Sequence, residues 1–342
     1  MHIVSKNILV NEGELKMTKI LKNGIDWLDT EGNPIHCHGG HIVKFGDTFY
    51  WYGEDRRENA YVSCYASKDL INWEFRGNIL TTDSKIEDLY GYNCQLLIDG
   101  KKINIERPKI VYNEKTKKYI MWAHYENGSD YFDAAIALAS SDTPDGNFVY
   151  HGFFRPYGHM SRDCNVFFEN GKMYFASASN QNEDLHIYQM NDTYTGVEKL
   201  VHKAFVGESR EAPAFFNLNN KTYVVTSRCT GWLPNQGGFA FADNIESEWS
   251  EIFDFGDDTT YHSQSTSVLT LDINGQTQYI YIGDRWGGNQ WDGKDKRYFD
   301  YFNSSYYFSL IKTNEDGSIE LLPCDEFTID LNDGGFKIIK NG

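Results

Sequence analysis

The sequence has no hydrophobic run long enough to cross a membrane, no Cys-x-x-Cys pair and no basic stripe. Its amino terminus, "MHIVSKNILVNEGELK", lacks the apolar core of a signal peptide, so neither a leader nor a membrane span is expected. Cys37, Cys64, Cys94, Cys164, Cys229 and Cys324 stand far apart. That spacing argues against a disulfide-stapled scaffold and predicts reduced core thiols in a cytoplasmic protein. His36, Cys37 and His38 are adjacent, but a zinc site needs a second ligand cluster and the sequence offers none. Lysine and arginine number 32 against 49 acidic residues, a net charge of −17. A field of that sign repels nucleic acid and anionic membrane and favours a neutral or cationic ligand. Glycine-rich phosphate loops of the GxGxxG or GxxxxGK[ST] kind are missing as well. No useful stretch has the 3.6-residue period of a helix, and no Pro/Gly/Ser-rich linker divides the 342 residues. One all-β domain is expected, with residues 1–25 as a polar lead-in and Met17 as an alternative start.

What the chain does contain is aromatic side chains. They make up 15% of it, and Tyr and Phe alone number 45, a composition that suits strands. Five segments share one layout. They are "HGGHIVKFGDTFYWYGE" (38–54), "ERPKIVYNEKTKKYIMWAH" (106–124), "SRDCNVFFENGKMYFASAS" (161–179), "REAPAFFNLNNKTYVVTSR" (210–228) and "SQSTSVLTLDINGQTQYIYIGDR" (263–285). Each opens with polar residues, runs into an apolar strand, turns, and returns through a second strand, which is a β-hairpin signal. A further strand pair follows every hairpin. Four antiparallel strands in five repeats predict a five-bladed β-propeller over residues 26–342.

In that architecture the first strand of each blade lines the central channel. Counting from Gly39, the equivalent starts are Glu106, Asp163, Glu211 and Gln264, at steps of 67, 57, 48 and 53 residues. These positions should converge on one pocket. Acids meeting there cannot all ionise easily, so at least one pKa should be raised, a split that glycoside hydrolysis requires. The plainer alternative pairs each acid with the arginine beside it: Glu106 with Arg107, Asp163 with Arg162, Glu211 with Arg210. Adjacent strand residues face opposite ways, which opposes that pairing. Glu54, His38, Gly39, Asn180, Thr230, Trp232 and Tyr125 are the expected substrate-binding residues. Trp232 is placed to stack on a sugar ring. His41 and His262 lie near the same end of the axis.

At these residues the chain resembles glycoside hydrolase family 43, and within it the exo-β-1,3-galactanase branch. The motifs are "HGG…YWYGE", "ERPKIVYN", "SRD", "REAPAFF", "TGWLPN" and "SQST…GDRW", in family order over about residues 36–290. The resemblance implies a five-bladed propeller and an inverting exo-hydrolase releasing galactose from neutral β-1,3-linked galacto-oligosaccharides. An α-L-arabinofuranosidase, β-galactofuranosidase or β-xylosidase is the alternative within the family, and a non-catalytic sugar-binding propeller the alternative outside it. It further implies Glu211 as general acid and Asp163 as the residue that tunes and orients it. Most of the family starts blade one with an aspartate base, whereas this chain reads "HCHGGH". The galactanase branch shares that absence, and its blade-five glutamine, here Gln264, is the implied base through its imidic-acid form. Glu106 is the conventional candidate. No cofactor is expected; an axial calcium ion occurs in part of the family, but no dense Asp/Asn loop here supports one. The segment 287–307 departs from the branch pattern and reads as an insertion at the pocket rim.

Overall fold

A computed structural model describes residues 19–92, 94–288, 291 and 299–341. The chain is all-β, and among the described residues the helical turns are short 3-10 segments. Five four-stranded antiparallel sheets follow one another, each a meander in chain order. Their first strands are His38–Phe45, Asn104–Asn113, Cys164–Glu169, Arg210–Leu218 and Gln264–Ile273. The hairpin turns sit where the sequence predicts. Asn170-Gly171, Asn219-Asn220 and Asn274-Gly275 have positive φ at both positions, as a type I′ turn requires and as asparagine and glycine tolerate. Each first strand touches the first strands of the two neighbouring sheets, and the fifth touches the first, so the contacts form a closed cycle.

The core lies between the sheets. Tyr52 and Val62 of the first sheet pack with Ile110 and Met121 of the second. Trp122 and Leu138 of the second meet Val166 and Phe175 of the third. Tyr174 and Ile187 of the third meet Phe215 and Val224 of the fourth. Trp51 of the first packs with Tyr306 and Phe308 of the fifth. Full burial of one such ring stabilises by roughly 1.5–3 kcal/mol.

Three expectations change here. Residues 19–25 are built into the fold. Leu21–Lys22 pairs with Glu326–Asp330, and the Asn23 side chain donates to the carbonyls of Phe308 and Cys324 while accepting from Phe308 N–H. Residues 1–18, with Met17, lie outside the described residues. The segment 287–307 is not wholly an insertion, because Ser305 already begins the third strand of the fifth sheet; positions 289–290 and 292–298 lie outside the described residues. The six cysteines are free. Cys229 departs from the expected core placement, being exposed on the loop after Lys221–Arg228.

Candidate active site

Four of the five first strands carry an extra residue just after their start. Pairing runs His38↔Glu54 and then His41↔Tyr52, and likewise Glu106↔His124 and then Lys109↔Trp122. The same slip separates Glu211↔Ser227 from Ala214↔Val225, and Ser265↔Gly283 from Ser267↔Ile282. Such bulges bend a strand and re-aim its side chains. Gly39, Arg107 and Ala212 take φ of 57°, 51° and 54° there, and Pro108 and Pro213 follow the last two, where a missing N–H does no harm. The bulges also correct the sequence register by one residue in the first sheet. His38, not Gly39, is the equivalent of Glu106, Glu211 and Gln264. Gly39 is the bulge residue itself, because a Cβ there would stand 2.9 Å from Arg107 Cγ.

These starts meet around a cavity of about 290 Å³. Glu54, Glu106, Asp163, Glu211, Trp232 and Gln264 line it, joined by Arg107, His124, Tyr131, Arg162, Asn182, Cys229, Gly231 and Trp286. The acids do not pair with their sequence neighbours. Asp163 takes Arg107 Nε at 3.0 Å. Glu106 Oε1 accepts from Arg56 Nη2 at 2.8 Å and from the Tyr131 hydroxyl at 2.7 Å, and His124 Nδ1 lies 3.3 Å from its Oε2. Arg210 turns away to Thr226. Among the described residues Glu211 makes no ion pair with an arginine; Asn182 Nδ2 donates to its Oε2 at 3.2 Å and Gln264 Nε2 to its Oε1 at 3.0 Å.

Gln264 is held on every side. Its Oε1 accepts from Arg107 Nη2 at 2.6 Å and Trp286 Nε1 at 2.8 Å, while its Nε2 also donates to Ser227 Oγ at 2.9 Å. Two donors on the oxygen and two acceptors on the nitrogen fix the ordinary amide form.

The two glutamates are driven in opposite directions. Burial pushes Glu211 up, the nearby Asp163 charge adds to it, and Arg107 only partly offsets them, leaving its pKa at about 8. For Glu106 burial also pulls upward. The His124 ring beside its Oε2 and the charge of Arg56 outweigh it and bring the pKa to about 2. Burial would discharge His124, yet Glu106 on one side and Glu126 on the other raise it to about 9, so the ring is an imidazolium. Glu54, next to the Tyr301 hydroxyl at 2.7 Å, is raised by burial against the pull of Arg56. One carboxyl is kept protonated and one ionised at neutral pH, the division of labour that acid–base chemistry on a glycosidic oxygen needs.

Other expected residues lie elsewhere. His38 is buried behind the cavity wall, its Nδ1 3.0 Å from Asp284 Oδ1, and Gly39 N–H donates to Asp284 Oδ2 at 2.6 Å. Tyr125 is fully buried and stacks on Phe153 with ring centroids 3.7 Å apart. Asn180 is an exposed turn residue bonded to Glu183; the asparagine that reaches Glu211 is Asn182, two positions on. Thr230 donates to the Leu233 carbonyl and accepts from Asn235, shaping the loop that carries Trp232. His41 accepts from Ile110 N–H, and His262 is exposed on a turn. The Cys37 thiol donates to the Trp51 carbonyl, and among the described residues no three His, Cys, Asp or Glu side chains converge as a metal site. His124 and Glu126 were findable from sequence, since alternate positions of "AHYE" share a strand face with each other. Tyr131 and Arg56 come from loops that carried no signal.

Comparison with known proteins agrees with this geometry. The family model described as Glycosyl hydrolases family 43 matches residues 33–252. An exo-β-1,3-galactanase from Clostridium thermocellum superposes with a TM-score of 0.82 at 41% identity, over 93% of this chain and 68% of that one. The exo-β-1,3-galactanase of Phanerochaete chrysosporium, solved with galactose, gives a TM-score of 0.80 at 28% identity, over 94% and 71% of the two chains. A non-reducing end α-L-arabinofuranosidase from Bacteroides ovatus is 26% identical over 188 residues, 54% of this chain and 33% of its own, so that match spans about a third of the relative's length. With nearly two thirds of its length matched by the family model and its acids gathered in one cavity, the chain belongs to glycosyl hydrolases family 43.

Proposed function

We propose that the protein is an inverting exo-glycoside hydrolase that releases galactose from the non-reducing end of β-1,3-linked galacto-oligosaccharides, and that the closed cycle of sheets is a five-bladed β-propeller. The observation that carries the chemistry is the opposite ionisation of Glu211 and Glu106 in one cavity. The sugar assignment draws on the galactanases with which the chain superposes over more than nine tenths of its length.

In this reading Glu211 donates its proton to the leaving oxygen. Asp163 raises the affinity of Glu211 for that proton, and Asn182 and Gln264 orient its two oxygens. Trp232, stacked on Phe299 with centroids 5.0 Å apart and edge-on to Trp286, offers an aromatic wall to the sugar. For the attacking water, hydrogen bonding favours Glu106 over Gln264. Glu106 is anionic and reaches the cavity, whereas both lone pairs of the Gln264 oxygen are already taken by Arg107 and Trp286.

The test is a substrate panel: β-1,3- and β-1,4-galactobiose with nitrophenyl α-L-arabinofuranoside, β-D-galactofuranoside and β-D-xyloside. Galactose from the β-1,3-linked dimer, with little from the others, is the expected result. Turnover of the arabinofuranoside alone would replace this assignment with the activity named for the Bacteroides ovatus relative.

A further inference from the structure

One buried cation has no part in the chemistry above. Lys109 follows the bulge of the second sheet and is completely shielded from solvent. Its ammonium donates to the Gly39 carbonyl at 2.8 Å and the Arg107 carbonyl at 3.3 Å, and no carboxylate lies within ion-pair distance of it among the described residues. A buried ammonium satisfied by carbonyls alone is an expensive way to fill space. Burial and the nearby Arg107 accordingly bring its pKa to about 8.

The acceptors explain the placement. Gly39 and Arg107 are the left-handed residues of the bulges in the first and second sheets, and a bulge takes carbonyls out of the regular ladder. Lys109 ties the two bulges to each other across the sheet boundary. The Arg107 carbonyl is also contacted by Cys164 Sγ at 3.7 Å, so the third sheet grips the same peptide. From that fixed backbone the Arg107 side chain fans out, with Nε to Asp163, Nη2 to Gln264 and Nη1 to the Ser265 carbonyl at 2.8 Å. Arg107 is thus the link between the residue that tunes Glu211 and the residue that orients it.

We propose that Lys109 is a positioning residue for the reaction, whose ammonium clamps the first two bulges and so fixes Arg107 against Asp163 and Gln264. This rests on the reading of Glu211 as general acid, but it needs only that the enzyme turns over some glycoside, whichever sugar that is.

The experiment is a double-mutant cycle of Lys109→Met, nearly isosteric and neutral, with Arg107→Met, measured on the best substrate. Lys109→Met should lower kcat at least tenfold with KM changed less than threefold, and it should add less than twofold to the loss already caused by Arg107→Met. A role in folding alone would give losses that multiply, and that result overturns the proposal, as does a Lys109→Met enzyme with unchanged kcat. If Lys109→Met does not fold, Lys109→Leu, which likewise has no N–H donor, replaces it in the cycle with the same criteria. A crystal structure of the variant supplies a readout independent of activity. Arg107 Nε displaced from its 3.0 Å contact with Asp163 is expected, and an unmoved guanidinium refutes the clamp. If the wild type hydrolyses no glycoside at all, the functional reading falls, while the position of Arg107 in that structure still decides the role of Lys109.

Discussion

Replacing Glu211 by glutamine removes one proton and almost no volume, so it isolates the acid. With a pKa of about 8, ~90% of Glu211 is protonated at pH 7. A glutamate at the ordinary value of 4.5 would be ~0.3% protonated, so the site raises the working fraction roughly 300-fold. Two consequences can be measured. In the wild type, kcat/KM should hold through neutral pH and fall as pH rises through about 8. In Glu211→Gln that limb should vanish, and turnover of β-1,3-galactobiose should drop by about 10²–10⁴-fold, the usual worth of general acid catalysis. Dinitrophenyl β-galactoside leaves without protonation, so its loss should be under about tenfold. Equal losses on the two substrates, or a limb that survives the substitution, would refute the assignment. Stability gives an independent sign. A carboxyl whose folded pKa is raised binds its proton more tightly in the native state. The wild type therefore loses stability as pH rises between the unfolded value near 4.5 and about 8. Glu211→Gln should match the wild-type Tm at pH 4 and exceed it at pH 8.

Three further outcomes follow from the same contacts. Asp163→Asn removes the charge that raises Glu211 and frees Arg107 to lower it further, so the alkaline limb should move below pH 8; an upward move would contradict the pairing. Trp232→Ala should lose ~1 kcal/mol of ring stacking, seen as a KM for β-1,3-galactobiose raised roughly fivefold with kcat little changed. Azide should restore turnover and give an inverted glycosyl azide with Glu106→Gly rather than Gln264→Gly. Rescue of the Gln264 variant alone would assign the base to the glutamine, as the resemblance implied.

The five-sheet layout was legible because it is written locally. Asn-Gly and Asn-Asn turns demand positive φ, and the flanking aromatic runs alternate with the period of a strand. Convergence of Glu106, Asp163, Glu211 and Gln264 followed from the repeat, since equivalent places in a cycle meet at its axis. The exact register did not follow. A bulge shifts one strand by a residue against its partner, which put Gly39 where His38 belongs; the Glu-x-Pro pattern of "ERPK" and "EAPA" was the clue. Depth was equally hidden. Strand periodicity tells which face a residue takes but not how far along the axis it lies, so Tyr125 reads as a cavity residue and sits in the core. Partners contributed by loops, such as Arg56 and Tyr131 on Glu106, depend on long-range placement that no local pattern encodes.

The most direct test of the central claim is the anomeric form of the first galactose released. Proton NMR spectra recorded within the first minutes of hydrolysis of methyl β-1,3-galactobioside, whose leaving residue stays a methyl glycoside, should show α-galactose appearing first, as a single displacement by water from the face opposite the leaving oxygen requires. β-Galactose as the initial product would mean a double displacement, and it would contradict the assignment of Glu211 as an acid acting with a separate water-activating group.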